Sequence, residues 1–162
     1  MATKSDSPSY FIGFLGGIWE GLAKFAYPLL RITLGLFFIP HGYVKLFGGA
    51  YKGTSFFMAM MLGGHPKAEA AQFAASWVPW AYYIGILELV GGILLVIGLF
   101  TRVVAIQLVG FMVVAWLFVH SGAWFWTSRG AEMPILLGLL AIVVLIRGGG
   151  DLSVDKAWGK EF

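Results

Sequence analysis

The chain has 162 residues, 59% of them hydrophobic and 12% charged, and its mean hydropathy is +0.85. A soluble body of this length cannot bury so much apolar surface, which places the chain in the membrane class. With no cysteine it has no disulfide, thiolate metal site or iron–sulfur cluster, and its net charge of +3 gathers at the ends of apolar runs, where membrane topology explains it better than nucleic-acid binding.

The first 22 residues are not expected to form a secretory signal. Lys4 is followed by Ser5 and Asp6, Gly13, Gly16 and Gly17 interrupt the apolar stretch, and no small-residue cleavage site follows. Residues 9–22 read as an interfacial segment, with Tyr10, Phe11, Phe14 and Trp19 suited to the headgroup zone.

A bilayer core needs about 20 mostly apolar residues per helix. Four spans are expected, at about Ala23–Phe47, Val78–Phe100, Arg102–His120 and a shorter Glu132–Arg147. The expected fold is therefore all-α: an integral membrane four-helix bundle over residues 23–150, with an N-terminal segment at 1–22 and a cytoplasmic tail at 151–162. Between spans one and two, SFFMAMML and PKAEAAQFAASW read as two short interfacial helices forming a lid. Pro66 stands at a helix start and Glu69 in the first turn, where the dipole favours it. Spans two and three meet almost directly at Phe100-Thr101-Arg102, as a tight antiparallel hairpin. One side of this bundle carries six cations (Lys4, Lys24, Arg102, Arg147, Lys156, Lys160) and the other four (Lys45, Lys52, Lys67, Arg129), which puts both termini in the cytoplasm.

Charges within spans are costly and mark either packing or function. Arg31 lies roughly 10 Å and Glu88 roughly 18 Å from the inner end, a difference an arginine can cover. An Arg31–Glu88 pair is expected inside the bundle, with Gln107 completing the network. Its preferred role is to select helix register. Ala81, Gly85, Glu88 and Gly92 fall on one small-residue stripe, which seats the carboxylate in a packed seam away from lipid. At the other end, Pro40 is expected to bend span one, and His41 and Lys45 share a face. His120, Arg129 and Glu132 should lie at the same level, flanked by Trp124 and Trp126. This cluster reads either as a small-molecule pocket capped by the lid or as an ordinary interface belt. No metal site is expected: a bis-histidine haem pair from His41 and His120 lacks further constraints, and His65 is a loop residue.

The blocks LLRITLGLFFIPHGYVKLFGG, ILELVGGILLVIGLFTRVVA and GGGDLSVD resemble the DoxX family of small four-helix membrane proteins, over nearly the whole chain. The matching positions include Arg31, Gly35, His41, Gly42, Lys45, Glu88, Gly92, Gly98, Thr101 and Arg102, whereas the tail has Gly149 where proline is common. The resemblance implies membrane redox chemistry involving quinone or a partner oxidoreductase, in a bacterial inner membrane, and carries over no catalytic residue. Two functions follow as expectations. One is a quinone-associated subunit that has no covalently bound cofactor and acts with other membrane subunits, with His41, Lys45, His120 and Glu132 as hydrogen-bonding groups for the quinone. The other is a non-catalytic accessory subunit of a larger membrane complex. A small-solute transporter has too little room in four spans unless the chain oligomerises.

Overall fold

A computed structural model describes residues 11–161, so residues 9 and 10 of the expected interfacial segment lie outside those described. Among the described residues every regular element is helical. Helix α1 (Gly13–Phe47) is unbroken through Pro28 and Pro40. Its 35 residues extend about 52 Å, well beyond a hydrocarbon core of about 30 Å. The interfacial segment expected up to Leu22 is, from Gly13 on, the first part of this same helix, and Phe14, Trp19 and Leu22 project from it exposed.

Helix α2 (Tyr51–Met61) is the first of the two expected lid helices. The second is not separate. Its C-terminal part runs straight into the next span, giving one helix, α3 (Ala70–Ile97). Pro79 is the only strong breaker inside it, and a proline deletes one hydrogen bond without ending a helix that neighbouring helices support. A π-helical turn at Leu87–Gly91 lies within α3. Gly98 closes the helix with φ at +71°, Phe100 also takes a left-handed conformation, and helix α4 (Thr101–Val119) starts at once, as the expected hairpin requires. A second π-helical turn, Ala115–Val119, ends α4. Helix α5 (Glu132–Arg147) has the expected bounds, and the short α6 (Val154–Trp158) follows in the tail.

Helices α1, α3 and α4 are long and apolar enough to cross a membrane, while α5, with 16 residues, falls short of that length. Helix α1 packs antiparallel on α3, α4 on α5, and α2 on α3. The shared core runs from Tyr27, Leu34 and Phe38 of α1 through Leu87 and Leu95 of α3 to Leu108, Ala141 and Val144 of α4 and α5. Glycine sets the α1–α3 register. A Cβ on Gly42 would lie 2.3 Å from the Leu89 nitrogen and 2.7 Å from the Gly85 oxygen, so only glycine allows this approach. Ala81, Gly85, Glu88 and Gly92, the stripe read from the sequence, are all buried along this seam.

The tail is folded onto the bundle. Ser153 caps α6 by accepting from the Lys156 nitrogen at 3.1 Å, and Asp155 is buried against the α3–α4 turn. Nearby on the surface, the hydrogen bond from Lys156 holds the exposed Asp151 carboxyl below the usual carboxylate range.

Candidate functional site

Lys45 stands in the last turn of α1, and Glu88 is the second residue of the π-helical turn of α3. The Lys45 ammonium donates to both oxygens of the Glu88 carboxylate, at 2.8 and 2.6 Å. The Glu88 side chain is 4% exposed and that of Lys45 17%, so the carboxylate is the more deeply enclosed partner.

The expected Arg31–Glu88 pair therefore does not form, and the glycine seam explains why. It sets Gly35 against Gly92 and Gly42 against Gly85 and Leu89. In an antiparallel pair this places Glu88 beside the turn that leads into Lys45, and Arg31 at the level of Gly98. Ten residues of helix, about 15 Å, separate Glu88 from Gly98. Arg31 instead donates from Nη1 to the Gly149 carbonyl at 2.7 Å and from Nη2 to the Leu152 carbonyl at 2.6 Å, while its buried Nε has no partner. Beside it the Tyr27 hydroxyl donates to the Gly148 carbonyl. Gln107 belongs to neither group. It accepts from the Tyr83 hydroxyl at 2.7 Å and donates to the Val103 carbonyl at 2.9 Å.

The two ends of the bundle thus do different things. At the tail end, Arg31 fastens the C-terminal segment. At the histidine end, the Lys45–Glu88 pair lies in the wall of a cavity of about 370 Å³, whose lining also includes His41, His120, Trp126 and Arg129. Phe37, Phe111, Met133 and Leu137 supply apolar walls. His120 Nδ1 lies 2.6 Å from the Arg129 carbonyl. A carbonyl only accepts, so Nδ1 carries the proton and Nε2 of the neutral ring is left as an acceptor. Of the candidate outer-pocket residues, His41, Lys45 and His120 line this cavity, and Trp124 and Glu132 do not. The connection after α4 turns at Trp126–Ser128, and Arg129 takes a left-handed conformation. That turn brings Trp126 and Arg129 to the wall instead. Trp124 is exposed, and its carbonyl accepts from the Glu132 nitrogen at 3.1 Å. Glu88 is the lining residue that the sequence pointed to but assigned to the wrong partner. Among the described residues, no three His, Cys, Asp or Glu side chains gather closely enough to hold a metal ion.

Long apolar helices, a glycine-lined seam and an ion pair withdrawn from the apolar exterior define a helical integral membrane protein, resident in the lipid bilayer. The DoxX family model matches residues 26–121, and the chain belongs to that family. A Haemophilus influenzae relative, described as an uncharacterized protein, is 31% identical over 136 residues, which cover 82% of this chain and 90% of the relative. No solved structure matches the chain. The family match takes in Arg31, His41, Lys45, Glu88 and His120, and stops before Arg129, α5 and the tail.

Proposed function

We propose that the chain is a redox-linked membrane subunit that binds a quinone in the cavity at its histidine end and works with a partner oxidoreductase. The observation that carries this reading is the buried Lys45–Glu88 pair in the wall of an otherwise mostly apolar cavity of about 370 Å³, flanked by His41 and His120. A quinone presents a flat apolar ring with an oxygen at each end, so it needs an apolar slot with polar groups at separated points. The residues fit that requirement. The Lys45 ammonium has three protons, of which Glu88 engages two, leaving one for a carbonyl oxygen. His120 Nε2 can accept from a hydroxyl of the reduced form, and the Glu88 carboxylate is placed to take up a proton through Lys45 or directly. Electron transfer is the chemistry the bound quinone itself supplies. The chain has no cysteine couple, so the electrons are assigned to a partner subunit.

The binding test uses the protein in nanodiscs and a benzoquinone without a side chain, followed by quenching of Trp126 fluorescence against a Trp126→Phe control. We expect saturable binding, weakened about ten-fold or more in the double variant Lys45→Met/Glu88→Gln, since a hydrogen bond to a charged group contributes about 1.5–3 kcal/mol. Absence of binding by the wild-type chain sinks the quinone reading and leaves the accessory-subunit alternative.

The same reading places four crossings in a bacterial inner membrane with both termini in the cytoplasm, supported by the six-to-four cation bias. The natural chain has no cysteine, so single introduced cysteines report location cleanly. In intact cells, Lys160→Cys is expected to resist a membrane-impermeant maleimide and Thr127→Cys to react. The reverse pattern overturns the orientation, and reaction of both or neither overturns the four-span count.

A further inference from the structure

Beside the polar cavity lies a second chamber of about 190 Å³, and its origin is visible in the residue spacing. Thr54, Phe57, Met58 and Met61 of α2, with Leu62 just after it, line one side of the chamber. They fall at helical intervals of three and four, so they form one stripe. Phe111, Val114, Ala115, Phe118 and Val119 of α4 line the other side at the same intervals. Two such stripes facing each other normally interlock to crystal-like density. Here they stand apart, because α2 is held mainly by α3 and makes little contact with α4. The last α4 residues of the stripe belong to the π-helical turn, a local widening that often accompanies functional sites.

The two chambers share Lys45, Phe111, Ala115 and His120 in their walls. Ala115 is the small side chain among these four. The division of chemistry is sharp: Glu88, His41 and Arg129 line the larger chamber alone, while the smaller adds only Thr54 as a further polar side chain.

We propose that the chamber under α2 is the tail-binding half of one bipartite site, whose ligand carries a small oxygen-bearing head on an apolar chain. The head lies at Lys45 and Glu88, and the tail passes Ala115 and runs between α2 and α4 toward lipid. This deepens the quinone reading and rests on it for the nature of the head. An acyl lipid shares the same head-and-tail chemistry, so the experiment includes both. The weak α2–α4 contact also provides a lateral way in from the bilayer, with Met58 and Met61 as pliable side chains at the gap.

The test uses the full chain in nanodiscs and two photoactivatable probes, each with a diazirine near the end of a ten-carbon chain. One carries a benzoquinone head and the other a carboxylic acid. Trypsin cuts after Lys52 and Lys67, so residues 53–67 leave as one peptide containing the whole α2 stripe. We expect saturable labelling of this peptide by the quinone probe, competed by the tail-less benzoquinone. Filling the chamber with Met58→Trp from the α2 side, or with Val114→Trp from the α4 side, where Val114 lines the smaller chamber and not the larger, is expected to reduce that labelling at least five-fold while tail-less quinone binding changes less than two-fold. Two variants on different helices guard against a folding defect in one of them. Labelling confined to lipid-facing peptides, or labelling of 53–67 indifferent to both variants, overturns the tail chamber while leaving the quinone reading standing. Saturable labelling by the fatty-acid probe alone does the opposite: it keeps the bipartite site and overturns the quinone head.

Discussion

Lys45→Met is expected to be the most destabilising single substitution at the histidine end, and more so than Glu88→Gln on the other half of the same pair. Removing one partner of a buried pair typically costs about 3–5 kcal/mol, because the remaining charge is left without compensation. The two halves are not equivalent. Glu88 is 4% exposed, and its carboxylate receives both of its hydrogen bonds from Lys45, so Lys45→Met strands it. Lys45 is 17% exposed in the last turn of its helix, and after Glu88→Gln its flexible stem can carry the ammonium toward water. Thermal unfolding in mild detergent measures the difference. We expect Lys45→Met to lower the midpoint by on the order of 10 °C and Glu88→Gln by distinctly less. The double variant should lose less than the sum of the singles, since neither partner is then stranded. Strict additivity would show that the two side chains do not depend on each other. An equal loss from both singles would count against the asymmetry of burial. The stability cycle also separates the two roles open to the pair, because a double variant that melts near the wild type yet fails to bind the tail-less benzoquinone has kept its fold and lost a site.

The helices were more legible than their pairing. Glu132–Arg147 and the turn at Phe100-Thr101-Arg102 follow from apolar run length and the residues at its edges, and both stand as expected. The second span begins earlier than hydropathy alone places it, because helicity continues through Pro79 into the alanine-rich stretch, whose composition suits either a separate surface helix or an extension. The Arg31–Glu88 expectation failed through the ruler it used. Depth counted from the ends of apolar runs carries an error of a full helical turn or more, whereas the register is set by the close approach of Gly35 to Gly92 and of Gly42 to Gly85 and Leu89. Those glycines were visible in the sequence, but their spacing alone leaves the register open, because Gly35 and Gly42 match Gly98 and Gly91 in an antiparallel pair as well as they match Gly92 and Gly85. The gathering of His41, Lys45 and His120 was legible because such side chains collect at span ends, and the structure gives them a common wall. Trp126 and Arg129 belong to the same expected gathering as Trp124 and Glu132, but which of them reach the wall depends on a left-handed residue and a short turn in an irregular connection, which side-chain chemistry does not signal. Nor could the partners of Arg31 be read, because they are backbone carbonyls, which have no side-chain signature.

Asp155→Ala is expected to loosen the far end of the molecule, at the start of α4, rather than the tail alone. The Asp155 carboxylate accepts from the Phe100 nitrogen at 2.8 Å and from the Thr101 nitrogen at 2.9 Å, while its own nitrogen donates to the Gly98 carbonyl at 2.9 Å. The first amides of a helix lack partners within it, and a carboxylate there also meets the positive end of the helix dipole. Such a cap normally comes from the adjoining residue. Here Phe100 occupies that position and has no side-chain oxygen, so the tail supplies the carboxylate from more than fifty residues downstream. Deleting it takes the carboxylate from both amides, and the Thr101 N–H, which is buried, costs about 1–3 kcal/mol when left unsatisfied. Arg31 holds the same segment by the Gly149 and Leu152 carbonyls. It also fills the space beside Gly98, where an added Cβ would come within 1.7 Å of Nη1. Arg31→Met and Asp155→Ala should each cost roughly 2–4 kcal/mol on this reasoning, and together less than their sum, because either one releases the segment on which the other acts. Asp155→Asn should fall between, since its amide oxygen can still accept one of the two bonds but carries no charge. Hydrogen exchange gives the decisive reading. With Asp155→Ala, faster exchange is expected at Thr101 to Ala105 as well as in the tail, and little change at the α1–α3 seam around Gly42. Exchange that rises in the tail alone would mean α4 keeps its first turn without help, and that the tail is held by the bundle without bracing it in return.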